Sequence, residues 1–296
     1  MKYLFYNKIK GDFMNKEMIH YYFFKNLINS LPNNIISELS LSDDKIFYYA
    51  NIMSIDKYYS IFSLRRDKVK ILSKIKENFN QFYTNLLINI SEDKNINNLI
   101  FAYSFLAYNM LEEYIGNYVN TFKPYKLNYY EALNMIDLYF YKKIFPNQKK
   151  PNISRDFKDL SYDHKVDKLM HSAVVKSINQ TGVTPYFYRC NKKRNLFYKH
   201  YNKFYIKPFI YLIDIFRKNK RNKAYYYKNK IDENLLNNSH QEFIVSDIKY
   251  NYSIDELIEY LIKEMIPTCE MINNYLADGN DKEIRIYFNI PDEKEM

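Results

Sequence analysis

The sequence predicts an all-α protein: a single helical domain over residues 1–296, with an irregular C-terminal third and a C-terminal extension from about residue 231. Three observations carry that prediction. Glycine and proline are scarce, 4 and 8 in 296 residues, whereas an all-β sandwich or barrel needs turns at regular spacing. The chain is 47% hydrophobic, too apolar for disorder. Its apolar residues recur at helical steps of three and four.

Taken in order, the first helical pattern covers Lys16 to Ser30. From Asp67 to Asn89 the apolar positions are Val69, Leu72, Ile75, Phe79, Phe82/Tyr83 and Leu86, one face of a helix. The stretch from about Asn95 to Val119 is apolar nearly all round, the signature of a helix buried at the centre of a bundle. Tyr129 to Ile144 and Tyr162 to Ile178 follow, then Lys203 to Arg217, where Pro208 starts or kinks the helix. Ile254 to Leu276 is preceded by Ser253, and Ser253 with Glu256 reads as a capping box. Alternation from Glu283 to Ile290 suggests one short strand. Clusters of Asn, Pro and Lys fill the gaps, and no linker or repeat divides the chain.

Composition excludes several chemistries. Phosphate loops and dinucleotide fingerprints need clustered glycines, and Gly11, Gly116, Gly182 and Gly279 stand far apart. Cys190 and Cys269 share no metal-knuckle spacing and form no disulfide framework. The histidines at 20, 164, 171, 200 and 240 show no zinc-protease spacing. No Gly-flanked serine marks a nucleophile elbow. The first thirteen residues are interrupted by Lys2, Lys8, Lys10 and Asp12 and have no signal-peptide core. No stretch approaches the ~20 apolar residues of a membrane span. A cytoplasmic protein is the expectation. Tyrosine is abundant, 33 residues with no tryptophan. Each buried Tyr needs a partner for its hydroxyl, so many are expected half-buried with the oxygen at the surface.

The charge is concentrated. Between Cys190 and Lys230 thirteen Lys/Arg face one acid, Asp214, a local +12 in a chain of net +10 that leaves the remainder near −2. Lys192, Lys193, Arg194, Arg217, Lys218, Lys220, Arg221 and Lys223 are the candidate anion-binding residues. A solvated lysine face accounts for such a run. So do anionic phospholipid, another phosphate-bearing ligand, or nucleic-acid phosphates.

Several segments, in order, resemble the bacterial zinc-dependent phospholipase C family. Ile19-His20-Tyr21-Tyr22-Phe23-Phe24 resembles its opening helix. Asn51-Ile52-Met53-Ser54-Ile55-Asp56 resembles its Gly-x-x-Gly-Pro-Asp segment with only the aspartate kept. Ser104 to Val119 aligns without a gap to its Gly-Phe-Leu-x-His-Tyr-x-Leu-Asp-x-x-x-His-Pro-Tyr-Val helix, with Tyr108 at the first His, Glu112 at the Asp and Gly116 at the second His. Asp163 and Asp167 stand at its His-x-x-x-Glu pair. Leu236 to His240 and Ser253 to Leu257 are similar to its tail motifs.

The resemblance implies a helical fold with zinc ions in a cleft, held by ligands four apart on helices and activating water against a phosphodiester. It leaves four donor positions, His20, Asp56, Glu112 and Asp167, with Asp56 the catalytic candidate. Tyr108, Gly116 and Asp163 are not equivalent replacements, and Ile75/Lys76 stands at a further histidine position. The expectation is therefore a degenerate, non-catalytic member that binds phospholipid or another phosphate-bearing partner and carries no cofactor. One alternative is a phosphodiester hydrolase with a reduced site, in which zinc would be the cofactor. The other is a nucleic-acid binder that uses residues 190–230.

Overall fold

The computed structural model describes residues 17–36, 41–52, 74–75, 77–92, 96–122, 125, 127, 129–148, 151–158, 164–178, 192, 194–196, 199, 235–236, 241–279 and 282–288, with the backbone alone at 130, 154, 164, 165, 167 and 283. Among the described residues ten helices and one hairpin occur in this order: α1 (Glu17–Ser30), α2 (Asn33–Ile36), α3 (Asp43–Ala50), α4 (Phe79–Glu92), α5 (Ile96–Asn120), α6 (Tyr129–Ile144), α7 (Ile153–Asp156), α8 (His164–Ile178), β1 (Gln241–Val245), β2 (Ile248–Tyr252), α9 (Ile254–Asp278) and α10 (Lys282–Tyr287). The protein is predominantly helical, as its periodicity predicts. Among the described residues no helix is long and apolar enough to cross a membrane.

The centre is α5. It is buried on every side and packs against α1, α3, α4, α6, α8, α9 and β1. Two of its buried polar residues bond within the helix: Ser104 Oγ donates to Phe101 O at 3.1 Å and Asn109 Nδ2 to Phe105 O at 2.7 Å. On one flank α1 lies against α3, α6 and α9; elsewhere α4 pairs with α8. Aromatic packing fills the interior: Phe79, Tyr83 and Phe105 stack with centroids 5.6 to 5.9 Å apart.

Tyrosine departs from expectation. Tyr21, Tyr83, Tyr103 and Tyr118 are at most 1% exposed rather than half-buried. Backbone carbonyls make this tolerable for two of them. Tyr83 OH donates to Ala102 O at 2.9 Å and Tyr103 OH to Cys269 O at 3.3 Å, so each hydroxyl is satisfied inside the core.

The C-terminal third is regular where it is described, a correction to the irregular reading. Ser253 caps α9 through both bonds of the capping box: its Oγ accepts from Glu256 N at 3.4 Å, and its own N–H donates to Glu256 Oε2 at 2.8 Å. α9 ends at Gly279, whose φ of 75° is open to glycine at little cost. Just before it, β1 and β2 pair antiparallel around a two-residue turn, with Val245 opposite Ile248 and Phe243 opposite Tyr250. Both turn residues, Ser246 and Asp247, have positive φ, as a tight hairpin requires.

Residues 282–287 form helix α10, not the expected strand. Ile284 and Phe288 are buried while Ile286 is 71% exposed. Positions four apart share a face there, and Phe288 N donates to Ile284 O at 2.9 Å. The expected helix Lys203 to Arg217 lies outside the described residues.

Candidate functional site

Helix α1 brings its one histidine to α5. Asp137 of α6, fully buried, accepts from Met18 N at 2.7 Å and Ile19 N at 3.0 Å through a single carboxylate oxygen. It therefore caps the first turn of α1 from another helix, where the orphan N–H groups and the positive end of the helix dipole favour an anion. Asn51, which closes α3, donates through Nδ2 to Glu17 O and to Phe47 O, both at 3.1 Å. The start of α1 is thus pinned from two sides. His20 follows Glu17 by three residues, one turn along.

On α5, Tyr108 and Glu112 stand four apart and share a face. His20 Nε2 donates to Glu112 Oε1 at 2.8 Å, with side chains only 2% and 11% exposed. The Tyr108 ring stacks on the imidazole with centroids 4.3 Å apart and planes 14° from parallel. An ionised carboxylate only accepts, so against ionised Glu112 the facing histidine nitrogen is the donor. Truncating one member of such a pair leaves a buried group without compensation, a loss of about 3–5 kcal/mol. The stacked ring adds about 0.5–1.5 kcal/mol.

A zinc ion takes three or four protein ligands. Among the described residues no group of three His, Cys, Asp or Glu side chains converges. Among the described residues, His20 and Glu112 meet and bond each other directly. Tyr108, at a position where the resemblance places a histidine, offers a phenol in place of an imidazole, and Gly116 offers no side chain. The described donor set does not fit a zinc ion.

No family model, no curated protein and no solved structure matches this chain.

The remaining candidates divide in two. Asp56, Lys193, Arg217, Lys218, Lys220, Arg221 and Lys223 lie outside the described residues, as do Lys76 and Asp163. Asp167 belongs to α8, which packs on α4 and also touches α5, and its side chain is likewise outside them. Lys192 is exposed. Arg194 requires a correction. It is 0% exposed, donates through Nη1 to Asn51 O at 3.0 Å, and lies 5.2 Å over the Tyr48 ring. A guanidinium is weakly hydrated and stacks readily on aromatic faces, which is why Arg194 anchors inward instead of facing solvent.

Three contributors escaped sequence reasoning. Asp137 had a visible signal, a lone carboxylate in the apolar run Met135-Ile136-Asp137-Leu138. Asn51 stands where the resemblance places a glycine, but its φ of −110° needs none, and its amide supplies two bonds a glycine could not. Glu113, next to Glu112, is 9% exposed and accepts from Ser246 Oγ at 3.3 Å. Burial pushes its carboxyl above the ordinary range, against the smaller opposing effect of that hydrogen bond.

Proposed function

We propose that this chain is a non-catalytic protein of the zinc-dependent phospholipase C type, which binds a phosphate-bearing partner, anionic phospholipid foremost, through the basic segment 190–230. The observation that carries the reading is the direct His20–Glu112 bond beneath the Tyr108 ring. Two positions at which the resemblance implies metal ligands satisfy each other, and a third is filled by a ring that covers them. A water-activating ion needs open coordination, and this arrangement spends it on helix-to-helix attachment between α1 and α5.

The order of resembling segments and the helical architecture support the fold side of the reading. A local +12 supports the partner side, since each Lys or Arg near an anionic membrane contributes about 1 kcal/mol. The inward anchoring of Arg194 would hold one end of that segment against α3 while Lys192 stays in solvent.

The test has two arms. Protein incubated with added zinc is assayed on a chromogenic phosphodiester and on phosphatidylcholine vesicles, and no turnover above buffer is expected. Zinc-dependent turnover lost in His20→Ala would overturn the non-catalytic reading. Co-sedimentation with phosphatidylglycerol vesicles, falling as salt rises, is the expected partner result. Equal sedimentation with neutral phosphatidylcholine vesicles, or none with either, would remove the phospholipid assignment.

A further inference from the structure

At the opposite side of α1 from the histidine pair, the ammonium of Lys143 is set among aromatic rings drawn from two helices. Lys143 Nζ lies 5.1 Å from the Tyr139 ring centroid, 5.7 Å from that of Tyr22 and 6.0 Å from that of Phe140. Asp255, in the first turn of α9, accepts from Nζ at 2.6 Å and from Tyr139 OH at 2.7 Å through the same oxygen. Three π faces and one carboxylate around a cation are the elements by which proteins recognise ammonium groups.

The walls do not depend on the lysine. Phe140 is fully buried and Tyr139 is 5% exposed, so core packing fixes both rings. Tyr22 contacts Phe140 at 4.7 Å and Tyr139 contacts Phe140 at 5.1 Å between centroids, which orders the three rings among themselves. Asp255 is positioned by the capped start of α9. Lys143, by contrast, sits in the last turn of α6 on a flexible four-carbon stem, and its side chain is 36% exposed. The occupant is tethered and partly open to solvent, while the site around it is rigid.

We propose that Tyr22, Tyr139, Phe140 and Asp255 form a binding site for a primary alkylammonium group, with Lys143 as its resident, displaceable occupant. The inference does not rest on the phospholipase-type reading. A primary amine fits better than a quaternary one, because the carboxylate needs an N–H donor and a tetramethylated nitrogen has none. The tether gives Lys143 a high effective concentration, so in the intact protein a free amine displaces it only near saturation, and more readily once the lysine is removed or neutralised. Lys143 itself is held more basic than an ordinary lysine: burial opposes the charge, but the bonds to Asp255 and Tyr139 outweigh it.

Methylammonium reproduces the last carbon and nitrogen of the lysine and is the probe. In Lys143→Ala, methylammonium chloride is expected to raise Tm saturably, while sodium chloride and tetramethylammonium chloride at equal ionic strength do not. Asp255→Asn in the same background is expected to weaken methylammonium binding about tenfold. In the unmodified protein, acetic anhydride is expected to label Lys143 several-fold more slowly than its neighbour Lys142, and methylammonium near saturation to raise the Lys143-to-Lys142 labelling ratio, which cancels the anhydride consumed by the added amine. If Lys143→Ala does not fold, that labelling experiment decides alone. Equal responses to methylammonium and sodium, or a Lys143-to-Lys142 labelling ratio that methylammonium leaves unchanged, would overturn the proposal.

Discussion

Two faces of α1, two residues apart in sequence, carry the same three ingredients and put them to different use. At His20 a carboxylate, a nitrogen donor and an aromatic ring meet in a dry interior, 2% and 11% exposed. At Tyr22 a carboxylate, an ammonium and aromatic rings meet at the rim, with Lys143 and Asp255 exposed by 36% and 32%. Burial separates them. In the interior, an unpaired charge costs far more than the pair gains, so that contact behaves as a fixed staple. At the rim, solvent can replace either partner, so that contact is weak, salt-sensitive and exchangeable.

The sharpest way to break this contrast is His20→Ala, which strands the Glu112 carboxylate in the core. A loss of about 3–5 kcal/mol is expected in urea unfolding, against about 1 kcal/mol for Lys143→Ala at the rim. Equal losses would erase the distinction. Next in size is Asp137→Ala, which removes the acceptor of two N–H bonds at the start of α1 and should cost about 2–3 kcal/mol. Asp137→Asn, which keeps one acceptor oxygen, should cost less. The Lys143→Ala loss should shrink further in high salt, whereas the His20→Ala loss should not.

The smallest expected effect concerns Glu113, and its sign is opposite to that of a paired carboxylate. Its folded-state pKa is raised above the reference of 4.5, mainly by burial. The folded protein therefore binds more protons than the unfolded chain in the window from 4.5 upward, and stability falls as pH rises through that window. Glu113→Gln should be neutral or stabilising at pH 7 and should flatten that part of the stability profile. A Gln variant less stable at pH 7 than at pH 4 by the wild-type margin would place the pH dependence elsewhere.

Much of the fold was legible because long amphipathic or wholly apolar helices write their period into the sequence. α1, α5, α6 and α9 begin or end within two residues of the expected positions, and the Ser253 capping box is present. The failures are physical as well. Residues 282–287 alternate apolar and polar, yet a helix buries Ile284 and Phe288 together, and six residues are too few for period alone to separate the two cases. The hairpin was missed because its turn is Ser246-Asp247 rather than a glycine pair.

The site was less legible. His20 and Glu112, 92 positions apart, were joined only through the family resemblance, and nothing local announces that Tyr108 covers them. The Lys143 site draws on residues 22, 139, 140 and 255, so only tertiary structure assembles it.

The central claim is that His20 and Glu112 bond each other and that, among the described residues, no third His, Cys, Asp or Glu joins them to hold a zinc ion. Zinc content after purification without chelator, followed by zinc titration against the imidazole resonances of His20, tests it most directly. The expected result is no zinc retained through dialysis and no change at His20. One or more zinc ions retained per chain, with the His20 resonances shifted by the metal, would contradict the account.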